Sequence, residues 1–180
     1  LQISREKIEN ELFSKNIEGV SDITGKFSST EVMECEYFIA DDIIRRNLIE
    51  RKSKDIDVDA IISKYETINN ISVSDEQKAF FENFEKNNIS FLIGNAGSGK
   101  SFLQKILLEY GKELNMSVLL LSPTGKASKV LTQYTGKQAY TIHRKLARPD
   151  SYIFDDIIIV DEASMCDIFI IAKLLSRIQN

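Results

Sequence analysis

The eight residues Gly94-Asn95-Ala96-Gly97-Ser98-Gly99-Lys100-Ser101 constrain the fold of this 180-residue chain more than any other segment. They follow a short apolar run, Ile89–Ile93, and precede an amphipathic stretch, Phe102–Leu114. The run predicts a buried strand and the stretch a helix, so the glycines fall on a strand-to-helix turn. Glycine there lets successive backbone N–H groups converge on one point, and the helix start adds the positive end of its dipole. The spacing G-x-x-x-x-G-K-[ST] is that of a loop built to cradle phosphate. On this reading Gly94, Asn95, Ala96, Gly97, Ser98 and Gly99 line the cradle. Lys100 reaches the β and γ phosphates, and the Ser101 hydroxyl ligates Mg²⁺. The plain alternative is a glycine-rich turn that binds nothing; eight matched positions in the right context weigh against it.

Two further apolar runs, Val118–Leu121 and Ile157–Val160, predict strands, with helix-like segments between them. Apolar strands alternating with helices imply a parallel sheet covered on both faces, an α/β fold. The last run delivers Asp161 and Glu162 at its C-terminal end, the edge at which open α/β sheets bind ligands. A solvated acidic turn would look the same in isolation. Its place 61 residues after Lys100, with one predicted strand between, favours chemistry. Asp161 then belongs to the Mg²⁺ shell and Glu162 polarises the attacking water, with Lys100 completing the catalytic set. The segment Ser122-Pro123-Thr124-Gly125-Lys126-Ala127-Ser128-Lys129 closes the middle strand with hydroxyls and opens a basic helix. It is either a surface for a phosphate backbone or an ordinary turn before a solvated helix.

Upstream, residues 3–13 predict a short amphipathic helix. Ile17 to Thr30, with Thr24-Gly25-Lys26 in the middle, predicts a small hairpin. Met33 to about Arg51 has helical spacing, Arg51–Asp59 reads as an exposed linker or helix start, and Ile61, Ile62, Tyr65 and Ile68 form another helical face. Ser74 is placed to cap a helix running to about Lys86, with Gln77 completing a capping box.

The formal net charge is −4, which taken alone argues against a polyanionic partner. Its distribution reverses that inference. Residues 1–90 carry 12 basic and 19 acidic side chains, residues 91–149 carry 9 and 2, and residues 150–180 carry 2 and 6. The central part, net +7, contains the phosphate loop and the basic helix, so mild acidity conceals a basic face. Cys35 and Cys166 are far apart and form no C-x-x-C pair, which excludes a zinc ribbon or disulfide scaffold and fits a reducing, cytoplasmic setting. No apolar run approaches the ~18 residues of a membrane helix, and no basic-then-apolar signal opens the chain.

GNAGSGKS, LLSPTGKASKVL, YTIHRKL and IIIVDEASM occur in this order. Together they resemble the first motor domain of RecD-like helicases of superfamily 1B, the exonuclease V alpha-subunit type. Ser74-Asp75-Glu76-Gln77 also looks like that family's Q motif. The resemblance covers residues 73–180 well; the region with Tyr37, Phe38 and Asp41 is similar only loosely. It implies a P-loop NTPase (RecA-like) parallel sheet, incomplete, preceded by a small, mostly helical region with a hairpin. Residues 1–70 would be that accessory region and 71–180 the front part of the motor domain.

The resemblance also implies roles. Gln77 would contact the adenine edge of ATP. Ser122, Pro123 and Thr124 would touch single-stranded DNA, as would the second motif, Thr141, Ile142 and His143. A capping or core-edge role is the alternative for His143, and the capping box for Gln77. Asn95-Ala96 departs from the Gly-Pro common in RecD-like loops.

The γ-phosphate sensor and second motor domain do not follow, and the chain begins at Leu1 rather than Met. The expectation is a segment of a longer ATP-dependent DNA helicase of repair and recombination. The segment would be monomeric, bind nucleotide weakly and hydrolyse it poorly, while the parent engages nuclease or recombination subunits. The rival readings are a non-catalytic, nucleotide-gated nucleic-acid-binding module and another P-loop NTPase.

Overall fold

The computed structural model describes residues 20–23, 26–50, 58–94, 99–148 and 152–179. The helix expected over residues 3–13, the tip of the hairpin, most of the charged stretch 51–59 and the middle of the phosphate loop lie outside them.

Strands β1 (Val20–Ile23) and β2 (Lys26–Ser29) pair antiparallel, as a hairpin requires. Helix α1 (Thr30–Leu48) begins three residues before the expected Met33, because the Ser29 hydroxyl accepts the Val32 N–H at its first turn. Helix α2 (Val58–Asn69) follows. Helix α3 (Asp75–Lys86) starts at the Ser74 capping box: Ser74 Oγ accepts the Gln77 N–H, and Gln77 Oε1 accepts the Ser74 N–H at 3.0 Å. After α4 (Lys100–Glu113) the chain alternates through β3 (Val118–Ser122), α5 (Gly125–Thr135), β4 (Ala139–Thr141), the short α6 (Ile142–Lys145) and β5 (Ile157–Val160). A 3₁₀ turn (Ala163–Met165) leads to α7 (Ile168–Leu175).

β3, β4 and β5 form a parallel sheet in the order β4-β3-β5. Alternation along the central strand assigns its two faces. Val118 and Leu120 join Ile61 of α2, Tyr110 of α4, Leu131 of α5 and Ile157 in one core. Leu119 and Leu121 face the other way, into a core with Ile142, Leu146, Ile153 and Leu174. A third cluster links Ile62, Val73, Phe81, Leu103 and Ile106, so α2 and α3 seat α4 on its outer side. The α4–β3 approach is close enough to require glycine: a Cβ at Gly111 would lie 2.4 Å from Val118 Cγ2. α2 therefore shares a core with the sheet. α1 is fastened to the end of α7 by the Arg46 bonds to the carbonyls of Leu175 and Ile178, with Arg46 itself held by the buried Asp42.

Ile89–Ile93 departs from expectation. It forms no strand among the described residues, and Phe91 and Ile93 are 69% and 91% exposed. Asn47 of α1 supplies part of the reason. Its side-chain amide accepts the Ile89 N–H at 2.8 Å and donates to the Ile89 carbonyl at 3.4 Å, satisfying backbone groups that a neighbouring strand would otherwise fill. Conversely, β4 lies between Lys100 and Asp161 in addition to the one strand expected there. At three residues it is too short to leave a periodic signal.

Candidate nucleotide-binding site

The three parallel strands end together. Ser122 of β3 stands opposite Thr141 of β4, and the Asp161 N–H extends the β5 ladder by donating to the Leu121 carbonyl at 2.9 Å. One sheet edge thus gathers the Ser122–Thr124 corner, Thr141 and the Asp161-Glu162 pair. α4 joins them: Gln104, one turn into the helix from Lys100, donates from Nε2 to Asp161 Oδ1 at 2.9 Å. α4, which follows the phosphate loop, and the acidic pair, far apart in sequence, thus meet at this edge. Asn95, Ala96, Gly97 and Ser98 are outside the described residues.

Gly99 opens α4 with φ +83°, a left-handed conformation glycine adopts without strain, and no side chain caps this helix start. The first-turn N–H groups of any α-helix lack intrahelical partners, and with no capping side chain at Gly99 this start is suited to phosphate oxygens. The Gln77 side chain leans over the turn, so that a Cβ at Gly99 would lie 2.5 Å from its Nε2. One amide therefore serves both places: its oxygen closes the α3 capping box and its nitrogen faces the phosphate loop. Lys100 Nζ donates to the Gly94 carbonyl, and Ser101 is exposed at the first turn.

Glu162 is exposed and holds φ +53°, ψ +37°, left-handed for a non-glycine residue. Such backbone costs about 1–2 kcal/mol and gathers at functional sites. Among the described residues there is no group of three or more His, Cys, Asp or Glu able to hold a metal unaided. Mg²⁺ does not need one, since one or two carboxylates plus substrate phosphates suffice. The exposed Ser101 hydroxyl and the Asp161 carboxylate, one of whose oxygens is already oriented by Gln104, are a donor set that fits it.

The residues expected at DNA divide. The Thr124 hydroxyl accepts the Ala127 N–H and caps α5, and the Thr141 hydroxyl accepts the Arg144 N–H and caps α6. Thr124 and His143 are exposed; Pro123 and Thr141 are half-buried. Ser122 does not fit a direct contact: it is fully buried and its hydroxyl donates to the Thr124 carbonyl at 3.1 Å, so it shapes the corner from beneath. Lys126, Lys129 and Arg144 lie exposed near these caps, while Lys145 is drawn toward Asp155 at 3.8 Å.

Gln104 was missed at the level of sequence. The available signal was a polar residue inside the buried stripe of α4, beside Leu103 and one turn before Leu107.

The sheet, the glycine-opened helix and the acidic strand end define a P-loop NTPase. Residues 72–180 match the AAA domain family, and the chain belongs to it. The ATP-dependent RecD2 DNA helicase of Deinococcus radiodurans is 32% identical over 117 residues, 59% of this chain and 16% of that protein. The RecBCD enzyme subunit RecD of Buchnera aphidicola is 28% identical over 125 residues, 52% of this chain and 21% of its own. An uncharacterised protein of Methanocaldococcus jannaschii is 32% identical over 130 residues, 58% of this chain and 11% of its own. The chain thus spans between about a tenth and a fifth of these relatives' length, and within the AAA domain family its likeness is to RecD-type DNA helicases.

Proposed function

We propose that this chain is the ATP-binding front of the first motor domain of a DNA helicase that couples ATP hydrolysis to movement along single-stranded DNA. The observation that carries this reading is the Gln104–Asp161 bond, which brings the start of α4 and the end of β5 to one point on the sheet edge. There Lys100 and the α4 N–H groups bind phosphate, Ser101 and Asp161 hold Mg²⁺, Glu162 orients the attacking water, and Gln77 reads adenine. Bound Mg-ATP supplies the phosphoryl group transferred to water. Residues 1–70 form the accessory region and 71–180 the motor portion, with α1 and α2 docked on the latter. Thr124, Thr141, Pro123 and His143, flanked by the exposed lysines of α5, form the face for the DNA backbone.

The parent is read as a cytoplasmic repair and recombination enzyme that engages partner subunits, and this chain as a monomer. Among the described residues no helix is long and apolar enough to cross a membrane.

Nucleotide binding by a Lys100→Ala variant tests the ATP site. Affinity should fall sharply, and unchanged affinity removes the central claim. Single-stranded DNA binding should weaken steeply with salt, log K falling by about 0.7 per neutralised phosphate for each unit of log salt. Salt-insensitive binding, or none, favours a P-loop enzyme that does not act on DNA. The isolated chain should hydrolyse ATP poorly, and fast DNA-stimulated turnover would refute that.

A further inference from the structure

Gln104 is only 5% exposed, yet just half of its amide is used. Nε2 donates to Asp161, while Oε1 is buried without a hydrogen-bond partner among the described residues. A buried acceptor left unfilled costs about 1–3 kcal/mol, and Leu or Met would occupy the same place on α4 without that cost. Stability therefore does not account for the amide. Its geometry suggests what does. A carboxylate on an exposed strand end can rotate, and a metal shell needs it fixed. Gln104 stands on a helix locked between two cores, by Leu103 and Ile106 on one side and Tyr110 on the other, so its amide is a rigid donor. It engages one carboxylate oxygen of Asp161.

We propose that Gln104 is a positioning residue: it orients the Asp161 carboxylate for Mg²⁺. This rests on the reading of Asp161 as a metal ligand. It makes the start of α4 serve the site twice, through Lys100 and Ser101 toward the nucleotide and through Gln104 toward the acidic strand. The chemical consequence is confined to the Mg²⁺-dependent part of nucleotide binding.

The test measures the affinity of a fluorescent ADP analogue for the full chain, with Mg²⁺ and with EDTA, alongside thermal melting. Gln104→Met keeps the shape and removes both polar atoms; Gln104→Asn keeps an amide but withdraws it by one methylene. Both should lose about tenfold or more in apparent Mg²⁺ affinity, the usual loss when an outer-shell partner is removed. Affinity in EDTA should be unchanged, and the Met variant should melt no lower than the parent chain. Asp161→Asn should remove the Mg²⁺ response, and adding Gln104→Met to it should change nothing further. If Asp161→Asn removes the response but both Gln104 variants retain it, the positioning role is wrong and the site stands. If Asp161→Asn retains it, or the unsubstituted chain shows none, the reading of the site fails and the proposal with it. If both Gln104 variants fail to fold, the amide is structural and the proposal is overturned.

Discussion

Replacing Arg46 with methionine removes one group that holds two helices together. The guanidinium is 9% exposed and its partner Asp42 is 6% exposed; Nε donates to Asp42 Oδ2 at 2.6 Å. Nη2 donates to the carbonyls of Leu175 and Ile178, 3.2 and 3.1 Å away at the end of α7. Methionine fills much of the volume but leaves the Asp42 carboxylate buried with one cationic partner, Arg45, whose side chain is half exposed. Breaking a buried pair by removing one member costs about 3–5 kcal/mol, because the remaining charge is stranded. Arg45 offsets part of this, and the two carbonyls that lose their donor add roughly 0.5–1.5 kcal/mol each unless water reaches them. The expected loss is about 4 kcal/mol, a large share of the 5–15 kcal/mol typical of a folded domain.

Urea unfolding followed by circular dichroism reads this as a lower midpoint at unchanged slope. The decisive variant is Asp42→Leu with Arg46→Met. With both charges gone, stability should return to within about 1–2 kcal/mol of the parent, well short of the summed single losses. A single Arg46→Met loss under 1 kcal/mol, or strict additivity in the double variant, would refute the reasoning.

Gly111→Ala should destabilise by about 1–3 kcal/mol despite alanine's better helix propensity, since its Cβ would overlap Val118; a thermal melt decides. Glu162→Gly should raise stability by about 1 kcal/mol by relieving the left-handed backbone, while lowering ATP turnover of the parent enzyme; a gain in both would show that the carboxylate has no part in the reaction. The Lys64–Glu113 ion pair holds the Glu113 pKa down and the Lys64 pKa up, chiefly through their mutual hydrogen bond. A lowered carboxylate pKa contributes stability above the ordinary Glu range and loses it as pH falls through the folded value. A raised lysine pKa contributes below the ordinary Lys range and loses it as pH rises through the folded value. The Glu113→Gln difference should therefore be confined between those limits, small because both groups are exposed, and absent in high salt. Burial, with a smaller contribution from Asp167, raises the Cys166 thiol pKa, so at pH 8 its alkylation should be slower than that of an exposed cysteine.

The fold was legible wherever a local rule and the tertiary contacts agree. Ser74 and Gln77 name the start of α3 because a capping box is closed within four residues. Ile157–Val160 reads as a strand because four branched apolar residues suit a buried sheet position. Ile89–Ile93 is also mostly apolar and is not a strand among the described residues. Pairing belongs to the partner and not to the run, and Asn47, over forty residues away, answers for Ile89. The site was legible in its glycines, lysine and carboxylates, whose spacing reflects backbone geometry. Two of its features were not. The sealing of Ser122 depends on how β3 is flanked, and the Gln104 contact depends on a residue 57 positions later in the chain.

α1 lies outside the recognisable motifs, yet it touches the chain on both sides of the site. Asn47 holds Ile89, five residues before Gly94, and the Arg46 carbonyl accepts the Asn88 amide at 2.7 Å. The Arg46 guanidinium holds the end of α7, the helix that follows Asp161 and Glu162. The entry to the phosphate loop and the exit from the acidic strand are therefore fastened to successive residues of one helix. A displacement of the first breaks the Asn47–Ile89 hydrogen bonds, and one of the second breaks the Arg46 bonds to the Leu175 and Ile178 carbonyls. On the proposed reading, α1 is thus part of the frame that sets the spacing between phosphate loop and carboxylates. Substitutions in α1 should alter nucleotide affinity without touching any residue that meets the nucleotide.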